Sequence, residues 1–339
     1  MSRIVVVGAT GNVGTSLVAA LRADDTVDEI VGVARRRPRA DAAKTTWVTA
    51  DIERDDLVSI FRGADCVVHL AWRIQPSHEI QSLRRTNVMG SERVFKAVAD
   101  AEVSALVYAS SVGAYSPGPK NRAVDESWPA GGTPTSFYAR HKAEVEQRLD
   151  RFEQEHRDVR VVRMRPGLTF KRESAEEQRR YFLGPLFPRA LAREGAMPVV
   201  PDMPGLRFQA VHSDDVAEAY RLAIAGDAHG AFNIAADPVL DAETLARTLG
   251  ARPIKIAPGL VRAGMALSWK LRLQPTPPGW LDMGLSVPVM DVRRAHEELG
   301  WRPARSSVDA IRELLAGLGS EAGGATPPLE PGRRPLEHV

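Results

Sequence analysis

Tyr138 and Lys142 stand four residues apart in the run Tyr-Ala-Arg-His-Lys, a spacing that on a helix projects both from one face. A phenol with a pKa of about 10 is a poor base at neutral pH. An ammonium close to it favours the phenolate and lowers that value, which makes the two a proton-exchanging unit. Alone, Tyr-x-x-x-Lys is common on helix surfaces. Upstream, Leu106-Val107-Tyr108-Ala109 reads as a strand and ends in Ser110-Ser111. Ligands bind at the carboxyl ends of parallel strands, where a serine hydroxyl can hydrogen-bond a carbonyl while the tyrosine moves the proton.

A second set of residues suits phosphate. Gly8, Gly11 and Gly14 form a GxxGxxG turn after the first apolar run and before a helical pattern. A Cβ there would hold a pyrophosphate away from the backbone, and the helix N-terminus offers unpaired N–H groups and a positive dipole. Whether the nucleotide carries a 2′-phosphate depends on the end of the second strand. An acid there meets a ribose 2′-hydroxyl, but this chain has Ala34 followed by Arg35, Arg36 and Arg37. A guanidinium can grip a phosphate in a bidentate way, so Arg35, and next Arg36, point to NADP in preference to NAD.

These residues need strands and helices to hold them. Ile4–Val7 is four β-branched residues in a row, as in a strand buried on both faces. Val13, Leu17, Val18 and Leu21 then recur at helical spacing. Further strands are expected at Ile30–Val33, Trp47–Val48, Cys66–Leu70, Leu106–Ala109 and Val159–Met164. Helices are expected at Asp56–Arg62, Asn87–Asp100 and Ser136–His156. The alternation predicts an α/β fold: a Rossmann-type doubly wound parallel sheet with a smaller, mixed C-terminal substrate-binding region. Residues 1–165 form the dinucleotide-binding core, its sheet completed by 206–236. Residues 166–205 and 237–318 form the substrate-binding region. Residues 319–339, poor in apolar side chains, are expected to be a disordered tail.

Composition narrows the partners. The 339 residues carry 45 basic and 43 acidic side chains, a balance that gives no nucleic-acid footprint. One cysteine, Cys66, rules out an internal disulfide framework and a multi-Cys metal site, and no metal is expected. No uncharged apolar run is long enough for a transmembrane helix, and Met1-Ser2-Arg3 runs straight into a strand, without a secretory pattern. A cytoplasmic protein with no membrane or nucleic-acid partner is the expectation. Leu260–Leu273 mixes apolar and basic residues and is expected to be a core-facing helix in preference to a membrane-surface one. Arg172, Arg179, Arg180, Tyr181 and Phe182 either cover the pocket or face solvent.

The motifs in order resemble an extended short-chain dehydrogenase/reductase of the NAD-dependent epimerase/dehydratase family, over roughly residues 3–316. They are GATGNVG at Gly8–Gly14, Asp51-Ile52, HLAW at His69–Trp72, TNVMG around Asn87, YASSVGAY at Tyr108–Tyr115 and YARHK at Tyr138–Lys142. RPG at Arg165–Gly167, VHSDDVA at Val211–Ala217, FNIA at Phe232–Ala235 and LGWRP at Leu299–Pro303 follow. The resemblance implies Tyr138 as acid/base, Lys142 on the nicotinamide ribose and Ser111 as the catalytic serine. It also implies cofactor contacts from Gly8, Thr10, Gly11, Asn12, Val13 and Gly14, from Asp51 and Ile52 at adenine, from Leu70 and Ala71, and from Pro166 at nicotinamide. Asn87, Asp215 and His212 are read as structural, Cys66 as a core residue and His141 as solvated. A homodimer with a small-molecule substrate is a further implication.

Two departures weaken a nucleotide-sugar reading. Arg165-Pro166-Gly167 continues into Leu168-Thr169-Phe170 without the family's diphosphate-facing Asn, and Ser111 is followed by Val112-Gly113 where dehydratases have Thr-Asp-Glu. The leading expectation is NADP-linked hydride transfer at a secondary alcohol or ketone. The alternative is a nucleotide-sugar 4-epimerase with tightly bound NAD; a non-catalytic dinucleotide-sensing regulator ranks third, because Ser111, Tyr138 and Lys142 are all present.

Overall fold

The computed structural model describes residues 2–39, 42–75, 77–184 and 196–331. Its central sheet has seven parallel strands, numbered here in chain order: β1 Arg3–Val7, β2 Glu29–Ala34, β3 Thr45–Thr49, β4 Cys66–His69, β5 Ala105–Ala109, β6 Arg160–Pro166 and β7 Gly230–Ile234. Their spatial order is β3-β2-β1-β4-β5-β6-β7. The order reverses between β1 and β4, and the crevice outside their carboxyl ends is where such folds take ligands.

The β-branched run in β1 makes the layers. Ile4 and Val6 pack on one face with Leu17, Leu21, Val216 and Trp301, while Val5 and Val7 pack on the other with Phe61, Val94, Phe95 and Leu149. Successive side chains of a strand point to opposite faces, so an uninterrupted apolar run requires a layer on each side. Helices Asn12–Ala23 and Ser213–Ala225 supply one layer; Gly90–Asp100 and Phe137–Glu155 supply the other. Ser136 caps the Phe137–Glu155 helix by accepting the Ala139 N–H, which sets the phase that brings Tyr138 and Lys142 to one side.

Beyond the sheet, Leu168–Phe170 pairs in parallel with Ala210–His212, and β7 adds to the sheet beside β6. Two expectations meet a different structure. Leu260–Leu273 is not core-facing: helix Pro258–Lys270 buries none of its residues, and Leu260 is 71% exposed. Its inward side is the mixed one, where Arg262 pairs with Asp282 and Trp269 stacks on His78. An apolar stripe tells which residues share a face, not which face docks. The tail is also not loose through 331. After helix Ser307–Gly319 the chain turns back, Leu329 is buried, and the Thr326 hydroxyl donates to the Thr10 carbonyl at 2.7 Å. One buried leucine and paired backbone groups anchor a segment whose composition is that of a linker. Residues 332–339 lie outside the described residues.

Candidate active site

The glycine turn packs as tightly as its sequence requires. Gly8 has φ of +90°, and a Cβ on it would lie 2.7 Å from the Ala71 nitrogen, so the Leu70–Ala71 backbone crosses directly over it. A Cβ on Gly14 would lie 2.3 Å from the Gly8 carbonyl oxygen. Gly11, the residue before helix Asn12–Ala23, has no side chain to cap the first-turn N–H groups, and that turn holds no acid. Those amides are therefore available to an anion.

A cavity of about 200 Å³ opens on this turn, lined by Gly8, Thr10 and Gly11, by Arg35 and Arg36, by Asp51 and Ile52, and by Leu70 and Ala71. The remaining members of the expected cofactor set do not line it. Asn12 ties the turn to neighbouring loops, donating to the Thr169 carbonyl and accepting from Ser213. Val13 packs against the core and Gly14 lies under the turn. Of the residues expected either to cover the pocket or to face solvent, Arg180 and Tyr181 line the cavity, together with Arg73, Glu177, Pro327 and Pro328, which no local signal marks. Burial pushes the Arg73 guanidinium below its ordinary pKa, and the nearby Arg35 adds to it. Four arginines and open helix N–H groups, around a turn no side chain fills, fit a phosphate-bearing dinucleotide. Burial pushes the Glu177 carboxyl up to about 7, against the pull of Arg180 and Lys171.

Beyond the cavity, at the end of β5, the two serines part. Ser110 donates to Glu146 at 2.6 Å. Ser111 accepts the Gly113 N–H at 3.0 Å, and its side chain is close enough to the Tyr138 phenol to act on its titration. Tyr138 is buried between Trp72 and Trp280, with ring centres 5.9 and 4.8 Å away. Lys142 donates to the Ala109 carbonyl at 2.6 Å and sits 3.5 Å over the Trp72 ring. Its ammonium is 6.0 Å from the Tyr138 ring centre.

The expected lowering of the tyrosine pKa is not found. Burial pushes Tyr138 up to about 12, with the neighbouring Ser111 side chain pulling the other way. Burial also holds Lys142 well below the ordinary lysine range, opposed by Glu146. Desolvation acts on both groups, and the ammonium is spent on a carbonyl and an indole face. The stable form of Tyr138 is the protonated phenol.

Glu146, one turn beyond Lys142, is the hidden support of this arrangement. It accepts from Ser110, from Arg163 at 3.0 Å and from Arg165 at 2.9 and 3.0 Å. Arg165 also donates to the Tyr115 hydroxyl, which donates to Asn233. Every member of this network is buried, and it joins β5, β6, β7 and the Phe137–Glu155 helix behind the serines.

Other singled-out residues act on the scaffold. The Asn87 amide brackets the backbone N–H and carbonyl of Arg73. Asp215 accepts from the backbone of Ala304 and Arg305. His212 accepts the Asp214 N–H and meets Glu313 at 3.0 Å. Cys66 is buried and its thiol is pushed up to about 12. His141 is not solvated: it is buried beside Phe137, and burial pushes its pKa down to about 4. Pro166 ends β6 and lines neither this cavity nor a second one that begins at Val112, beside Ser111.

Comparison with known proteins agrees with the fold. Residues 4–235 match the family model described as NAD dependent epimerase/dehydratase family. An uncharacterised Mycobacterium tuberculosis protein, Rv2047c, is 26% identical over 324 residues, 95% of this chain and 30% of its own length. The chain thus spans about a third of the length of that relative. An L-arabinose 1-dehydrogenase (NAD(P)(+)) from Haloferax volcanii is 38% identical over 112 residues, 33% of this chain and 41% of its own. Among solved structures, UDP-glucose 4-epimerase from Thermus thermophilus in complex with NAD superposes with a TM-score of 0.67 at 22% identity, covering 93% of this chain and 98% of that one.

Proposed function

The chain belongs to the NAD dependent epimerase/dehydratase family, and on that premise we propose that it is an NADP-preferring oxidoreductase acting at a secondary alcohol or its ketone. The observation that carries this reading is that Ser111 and the buried Tyr138 come together beside a cavity built on the glycine turn. When bound, the dinucleotide would supply or accept a hydride at the nicotinamide ring. Gly8, Gly11 and the helix N-terminus would hold its pyrophosphate, Asp51 and Ile52 its adenine. Arg35 and Arg36 would hold a 2′-phosphate, since no acid follows β2 to meet a ribose hydroxyl.

Tyr138 gives its proton to the substrate oxygen as the ketone is reduced, and Ser111 hydrogen-bonds the same oxygen. A phenol held near 12 stays protonated at neutral pH and is still far more acidic than an alcohol, so the transfer runs downhill toward the alkoxide. Lys142, held by the Ala109 carbonyl, would meet the nicotinamide ribose. The likeness to NAD-bound 4-epimerases favours a second reading, in which the same residues oxidise and re-reduce one substrate carbon around a retained NAD.

Cofactor turnover separates the two. The proposed enzyme consumes reduced nicotinamide in proportion to ketone, and Tyr138→Phe lowers that rate by about 10²–10⁴-fold while dinucleotide affinity is retained. Arg35→Ser is expected to weaken NADPH roughly tenfold or more relative to NADH. Purification with stoichiometric NAD, and sugar isomerisation without added cofactor, would establish the epimerase instead.

A further inference from the structure

The second cavity, about 220 Å³, is continuous with the catalytic segment: Val112 follows Ser111, and Trp280 packs on Tyr138. Besides Val112, its walls come from three separate stretches, represented by Leu168, Phe208 and Leu285. Among the described residues that line it, none carries a charge. Two polar side chains line it: the Trp280 indole N–H, buried without a partner among the described residues, and the Gln209 amide, which accepts the Met290 N–H at 2.7 Å and donates to the Met290 carbonyl at 3.1 Å. Lys120, a nearby cation, is likewise committed. Its ammonium donates to the carbonyls of Arg207 and Gly284 at 2.8 and 2.9 Å. Leu168 is 41% exposed at this cavity, an apolar side chain that a ligand could cover.

We propose that this cavity takes an apolar substrate body, an alkyl or alicyclic group attached to the reacting carbinol or ketone. The proposal rests on the oxidoreductase reading above and names its substrate class. A nucleotide-sugar diphosphate placed here would lose its water with no cation, and only the single Trp280 N–H, to replace it, whereas an apolar group loses nothing by leaving water. An apolar cavity of roughly 150 Å³ holds a benzene ring, so the space here suits a fused ring or a ring with a short chain.

The test is calorimetric titration of the full-length protein with 2-decalone and, separately, with UDP-glucose. Expected are 2-decalone binding, weaker or no UDP-glucose binding, and at least a tenfold loss of 2-decalone affinity in Leu168→Lys. Leu285→Lys, from a separate wall, serves if the first variant does not fold. Tighter binding of UDP-glucose, no binding of 2-decalone, or 2-decalone affinity unchanged in a folded variant each overturns the proposal. NADPH consumption is read independently: a 2-decalone that binds at this wall and is not reduced sinks the oxidoreductase reading and leaves the cavity assignment standing.

Discussion

Tyr138 and Lys142 show how little a spacing says about protonation. Their separation on a helix brings them to one face, but both are buried, and burial moves each toward its neutral form. On the proposed reading, the pair would therefore work by proton donation from a phenol and not through a resting phenolate. Glu177 titrates near neutral pH. Its carboxyl is raised in the folded chain to about 7 from 4.5, so the folded state holds the proton more tightly than the unfolded chain does. The stability linked to that proton is whole below about pH 4.5 and is lost as the pH rises through about 7. Glu177→Gln keeps the neutral shape at every pH. It should exceed the parent protein in stability by roughly 1–3 kcal/mol at pH 8 and match it near pH 5, as read from urea unfolding at both values.

At the scale of elements, the Glu146 network decides where β5 ends and hence where Ser111 stands. Nothing local marks Glu146; it is one of several acids on a charged helix, and its burial follows from β6 placing Arg163 and Arg165 opposite it. Replacing it with alanine leaves buried guanidinium groups without their carboxylate, and Arg165 has no other acidic partner in the structure described. Glu146→Ala should therefore cost about 3–5 kcal/mol, measured by denaturant unfolding. Arg163 retains Asp150 and Glu153, which places the loss mainly on Arg165. The glycine turn is the opposite case. Its residues and spacing are legible without any structure, because the contacts that exclude a Cβ lie between a strand, its turn and the helix that follows.

Across the whole molecule, residues 326–330 close on the glycine turn and its cavity. Thr326 donates to Thr10 in the glycine turn, Pro327 and Pro328 line the cavity, and Arg180 donates to the carbonyls of Pro328 and Glu330. A truncation ending at Ala325 removes this wall. It should weaken dinucleotide binding by about tenfold, a loss of roughly 1.4 kcal/mol, while a truncation ending at Pro331 leaves affinity unchanged. Fluorescence titration with NADPH distinguishes the two.

Sequence alone determined the parallel sheet, the glycine turn, the arginines after β2 and the serine–tyrosine–lysine set, since each is written in spacing over one or two adjacent elements. Only the tertiary structure decided that Lys142 is spent on Ala109, that His141 is buried, that Arg73 and Arg180 join Arg35, and that residues near 329 close on residue 10. It alone also made the second cavity apolar. Those outcomes depend on which distant segments share a volume and how much water they exclude, and neither dehydration nor long-range contact leaves a periodic mark on the chain.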